Sequence, residues 1–215
     1  MSPRARQRTL IAAALLCAGA AAALFGQYAS RPPAFEPPAE DVCIVPPSRA
    51  SRPHPFDPAS GLALHAARPV PQDARCPVCG MYPARFGQWA AQLIFRDGGA
   101  HFFDSPVDLF MFLTEPGRFD ARYPAGAADG IMQQVAALYV SDHGGRGWID
   151  ARSATFVAGS RVRGPMRGPD LPAFADAAAA AAFVAREGGK PHAFEHIDTA
   201  LLRTLRDANH ARHMH

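Results

Sequence analysis

From residue 73 onward the sequence predicts an α+β domain, a small and mainly antiparallel sheet with flanking helices. Strand-like segments arrive in neighbouring pairs joined by short turns, Asp97-Gly98 in the first pair and the glycine-rich stretch 143–147 in the second. That is the signature of antiparallel hairpins rather than of long parallel crossovers. Helical segments fall between the strands, opened by a capping residue and closed by Gly or Pro. Apolar residues make up 48% of the 215, enough to build one core of ordinary size.

The elements follow in order. Residues 89–95 read as a strand and 100–103 as its returning partner. Asp104-Ser105-Pro106 then opens a helix, a capping residue followed by proline in the first turn. Val107, Phe110, Met111 and Phe112 supply its apolar face, and Pro116-Gly117 ends it. Two more strands are expected over 136–141 and 148–157. Asp176 caps a helix that runs through Arg186 and closes at Gly188-Gly189. A short strand over 192–197 leads into a last helix over 198–208.

What precedes and follows the domain has a different texture. Arg4, Arg6 and Arg8 stand before the apolar run 10–25, the charged and apolar regions of an export signal. With residues 26–29 added the run is long enough to span a bilayer. No clean cleavage site follows it, and Leu16 is too large for the position before Cys17 in a lipoprotein box. Residues 1–28 are therefore read as an uncleaved anchor, positive side inside, in preference to cleaved export. Residues 29–72 hold most of the prolines and read as a semi-rigid extended linker. The domain spans 73–208, and 209–215 form a His/Met-rich tail. The formal charge is only +3, Lys190 is the sole lysine, and no Lys/Arg run interrupts the body of the chain. These features exclude a nucleic-acid footprint.

The chemistry concentrates in Cys76-Pro77-Val78-Cys79-Gly80-Met81. Two thiolates three positions apart face one metal when the turn between them is tight. Pro77 presets that turn, Gly80 lets the chain fold back, and Met81 adds a thioether. Thiolate and thioether together are a soft set that selects Cu(I). Three other readings of the cysteine pair stay open: a structural zinc site completed by other ligands, a thiol oxidoreductase, and a plain disulfide. Further soft groups are Met166 in a Gly/Pro-flanked loop, His101 on the second strand, and His213 and His215 in the tail, a kind of tract that captures metal elsewhere. Cys79 and Met81 are expected at the centre. Cys76 would strengthen binding, and Met166 or one histidine would complete the set from across the fold. No Ser/His/Asp arrangement, phosphate loop or carboxylate pair suggests an enzyme.

The ordered set of motifs resembles the NosL family. It comprises Cys76 to Met81, then 89–95, then Phe102-Phe103-Asp104-Ser105 with Asp108-Leu109-Phe110, then Trp148-Ile149-Asp150-Ala151, and finally 156–160 with Gly164-Pro165-Met166. The resemblance implies a fold similar to the organomercurial lyase core. It implies a periplasmic, membrane-tethered Cu(I) chaperone with no catalysis of its own, which delivers copper for the copper–sulfide centre of nitrous oxide reductase. Its implied partners are that reductase and an ABC-transporter-type maturation complex. Members of the family are typically lipoproteins, and the defective lipobox departs from that pattern.

Overall fold

The computed structural model describes residues 52–120, 122–123 and 128–213. The anchor, most of the proline-rich stretch and His215 lie outside them. Strands β1 (Ala91–Phe95) and β2 (Ala100–Phe103) form the expected hairpin, with Ala91 opposite Phe103 and Ile94 opposite Ala100. Helix α1 (Pro106–Thr114) follows at once. Two short helices, α2 (Pro116–Phe119) and α3 (Ala128–Gln134), precede β3 (Val135–Ser141) and β4 (Trp148–Asp150). The chain continues through β5 (Thr155–Ala158), β6 (Ala173–Phe174), α4 (Ala177–Glu187), β7 (Lys190–Ala193) and α5 (Thr199–His213). One antiparallel sheet has the order β2-β1-β3-β4, and a smaller one has the order β6-β5-β7.

Three differences from the expected elements have local causes. The strand expected over 148–157 breaks in two, because Asp150 folds the chain into a turn. Its carboxylate accepts from Arg152 N at 2.8 Å and its carbonyl from Ser153 N at 3.2 Å, the way an aspartate competes with a ladder. The halves then join different sheets. Helix α1 ends at Thr114, just ahead of Pro116-Gly117 as expected, but Pro116 itself starts the additional helix α2, since a proline at the first helical position loses no hydrogen bond. The last strand is Lys190–Ala193, ending before a 3-10 turn at Phe194–His196. It is an edge strand, which tolerates Pro191.

The larger sheet is buried on both faces. Ala91, Leu93, Phe95, Phe103, Leu138 and Val140 pack with Leu109, Phe112 and Leu113 of α1 in the main core. Ile94, Ala100 and Phe102 face the other way, onto Ala74 and Val70. The described end of the proline-rich stretch covers that second face. His54 exchanges backbone bonds with Ala100 at 2.8 and 2.9 Å. The fully buried Gln92 side chain is satisfied by the backbone of Arg68, at 3.1 and 2.7 Å. Residues 52–72 are thus docked on the domain, a finding that the expected extended linker does not anticipate.

Candidate metal centre

The loop 76–81 closes on itself. Cys76 N donates to Met81 O and Gly80 N to Cys76 O, both at 2.9 Å. Gly80 sits at φ 75°, a left-handed conformation that a side chain would resist. The closure puts Cys76 fully inside the core and leaves Cys79 and Met81 half-buried. Neither cysteine is in a disulfide.

The thiols meet two carboxylates. Cys76 Sγ donates to Asp108 Oδ2 at 3.2 Å, and Cys79 Sγ to Asp104 Oδ1 at 3.0 Å. One ligand atom from each of Cys76, Cys79, Asp104 and Asp108 lies within 4.8 Å of the others. Asp104 ends the β2 hairpin, and Asp108 stands in the first turn of α1, where the Ser105 hydroxyl caps its N–H. The carboxylates therefore sit at the positive end of a helix. The second oxygen of Asp104 is buried without a hydrogen-bond partner.

Electrostatics explain what the cluster can hold. Burial pushes the Cys76 thiol far up, with Cys79 and the two aspartates adding to it. For Cys79 a bond from Cys76 pulls downward, but burial and the charges of Asp108 and Asp104 prevail and hold it at about 12. Burial, then the neighbouring Asp104, raises Asp108 well above the usual carboxylate range. Four acidic groups packed together in low dielectric cannot all ionise unless a cation joins them. Such thiols are poor nucleophiles, because attack requires a lowered pKa. A metal ion displaces the thiol protons as it binds and relieves the repulsion.

Of the residues singled out in the sequence, the structure brings Cys76 and Cys79 together, with Met81 in the same closed loop. His101 stands apart from this cluster. It is 1% exposed, ringed by Phe95, Phe103 and Phe112 at 5.1–6.4 Å between centroids, and its Nε2 lies 3.7 Å from Asp120. A histidine of that kind is a satisfied core residue. Met166 is 43% exposed on a tight turn whose next residue, Arg167, takes φ 61°. That turn leans on the helix carrying Asp108. Asp170 packs against Gly164 and accepts from Ser105 at 3.0 Å and Val107 N at 3.4 Å. The backbone of His213 belongs to α5, and its side chain lies outside the description, as does His215. Asp104 and Asp108 escaped the sequence reading because acids at a helix start ordinarily serve as caps.

Comparison with known proteins follows the same lines. A family model described as NosL matches residues 67–202. The copper-binding lipoprotein NosL of Stutzerimonas stutzeri is 31% identical over 144 residues, which cover 63% of this chain and 67% of that one. The copper-binding lipoprotein NosL of Achromobacter cycloclastes is 32% identical over 149 residues, covering 63% and 71%. The crystal structure of the copper chaperone NosL from Shewanella denitrificans superposes with a TM-score of 0.51 at 27% identity, covering 63% of this chain and 98% of its own.

Proposed function

This chain belongs to the NosL family, and from that membership we propose that it is a periplasmic Cu(I) chaperone. Its cargo serves assembly of the copper–sulfide centre of nitrous oxide reductase, handed over through the ABC-transporter-type maturation complex of that enzyme. The observation that carries the reading is the thiol pair of Cys76 and Cys79, held with two buried carboxylates inside one cation-sized space. The similar proteins named for copper binding support the cargo.

In this reading Cys76 and Cys79 bind copper as thiolates and Met81 contributes its thioether. Soft sulfur donors favour Cu(I) over harder ions. Met166, exposed beside the helix that carries Asp108, and the tail histidines His213 and His215 act as passing ligands while copper enters or leaves. The protein holds and presents the ion and performs no chemistry on it. The name lipoprotein carried by two relatives supports a membrane tether.

Anaerobic Cu(I) competition against a chelator tests the site. One copper per chain is expected, and Cys79→Ser should abolish it. Met81→Leu should weaken affinity by about tenfold, the equivalent of roughly 1.4 kcal/mol. It should leave the fold nearly as stable, because such volume-conserving swaps typically cost under about 1.5 kcal/mol. A Met81→Leu variant that keeps full affinity but melts much earlier would make Met81 a packing residue. Loading the chain and mixing it with copper-depleted reductase and the maturation complex tests the destination. Absence of transfer there refutes the route while leaving copper carriage intact.

A further inference from the structure

A chain of hydrogen bonds runs from the Met166 turn to the Cys76 thiol. The turn reads Gly164-Pro165-Met166-Arg167-Gly168-Pro169. Gly164 N donates to Gly168 O at 3.0 Å and Arg167 N to Gly164 O at 2.9 Å, which closes it. Pro165 and Pro169 fix φ on either side of the tip. Gly164 and Gly168 at the base are buried, while Met166 at the tip is exposed. The turn is thus stiff, rooted in the domain and open at one end.

Asp170 stands buried beside the base. Its Oδ1 accepts from Ser105 Oγ at 3.0 Å, from Val107 N at 3.4 Å and from Leu171 N at 2.8 Å. Ser105 Oγ in turn accepts from Asp108 N at 3.5 Å, and Asp108 Oδ2 accepts from the Cys76 thiol at 3.2 Å. Ser105 alone suffices to cap α1. Its own hydroxyl hydrogen is buried and needs an acceptor, which Asp170 supplies from 65 positions away. The contact with the turn is equally close. A Cβ built on Gly164 would meet Asp170 Oδ2 at 2.0 Å and its Cβ and Cγ at 2.7 Å. Turn and carboxylate therefore cannot move independently.

We propose that Asp170 is a positioning residue of the copper site, which through Ser105 and Asp108 makes the hold on Cys76 depend on the place of the Met166 turn. The inference rests on the carrier reading above. It gives Met166 a second task besides passing copper. A ligand exchange at the exposed tip that shifts the turn slackens the grip on the ion at Cys76.

Two readouts on the full chain test this. One is Cu(I) competition against a chelator. The other is metal-free alkylation by iodoacetamide, with labelled Cys76 quantified by peptide mass spectrometry. Asp170→Ala should weaken copper affinity about tenfold, the scale of one lost hydrogen bond to a charged group, and speed the labelling of Cys76 severalfold. Asp170→Asn keeps an Oδ1 acceptor and should stay within about threefold of wild type in affinity. Gly164 has no positive φ, so Gly164→Ala acts by contact alone. It should move both readouts in the direction of Asp170→Ala, and the two changes combined should lose no more than the worse single variant. Asp176→Ala removes the cap of α4 and is the control for stability, lowering the melting temperature with both readouts at wild-type values. Labelling is run where circular dichroism shows every variant folded. Should Asp170→Ala not fold, Ser105→Ala takes its place. A folded Gly164→Ala that binds copper and labels as wild type overturns the proposal. So do an Asp170→Asn that loses as much affinity as Asp170→Ala, additive losses in the double variant, and an Asp176→Ala that labels as fast as Asp170→Ala. Failure of wild type to bind copper refutes the carrier reading alone, since the labelling needs no metal.

Discussion

Asp170 ties the Met166 turn to the start of α1, and it does so at an electrostatic penalty. Burial raises its carboxyl to about 7, against the opposing bonds from Leu171 N, Ser105 and Val107 N. A carboxyl whose folded pKa lies above its unfolded value contributes stability below about pH 4, and loses it as pH rises through about 7. Wild type should thus lose stability relative to Asp170→Asn from pH 4 to 7, on the order of 1.4 kcal/mol per unit at most, while buried His101 and half-buried His143, whose pKa values burial lowers, act in the opposite direction in both proteins. Urea melts at several pH values check it. A wild type that gains stability relative to Asp170→Asn over this window would contradict the burial argument. At this scale the sequence reveals Cys76 and Cys79, because a spacing of three with proline and glycine is a local property. It hides Asp104 and Asp108, because what makes them candidates is their approach to thiols 25 and 32 positions away. At His101 the residue type suggests a ligand, whereas the fold sets the ring among aromatic side chains apart from the thiol cluster.

Capping is the feature that links elements to the site. Ser105 caps α1 through Asp108 N and also donates to Asp170. Asp176 caps α4 through Ala179 N at 2.7 Å and is no part of the cluster of Cys76, Cys79, Asp104 and Asp108. Ser105→Ala should cost about 1–2 kcal/mol, because it leaves buried partners unsatisfied, and it should also weaken copper binding by releasing the turn that aims Asp108. Asp176→Ala should lower the melting temperature with copper affinity unchanged. Equal copper affinity in the two variants would show that the α1 cap is structural only. The β1–β2 hairpin, α1, α4 and the start of α5 were legible from turn and cap residues. The division of 148–157 was not, since residues on both sides of the Asp150 turn favour strands, and the choice of sheet depends on what each half pairs with.

At the scale of the whole molecule, attachment to the membrane depends on the covalent state of the N-terminus. The uncleaved anchor lies outside the described residues, and we hold to it as a proposal beside relatives named as lipoproteins. Mass spectrometry of the mature chain from membranes should find an intact N-terminus at Met1. A diacylated Cys17, or a chain beginning near Leu24, would replace the anchor with lipidation or cleavage. The proline-rich stretch is not an extended linker as far as residue 72, because residues from 52 onward are part of the packed domain and cover one face of the sheet. By itself the sequence determined the α+β class, the antiparallel pairing, the cysteine–methionine loop and the family, all of which rest on contacts between near neighbours or on residue order. Only the tertiary structure decided that two aspartates meet the thiols, that His101 lies apart from that cluster, and that the described end of the proline-rich stretch packs on the sheet. Those outcomes depend on burial and on electrostatic fields between distant parts of the chain, and neither has a local signature.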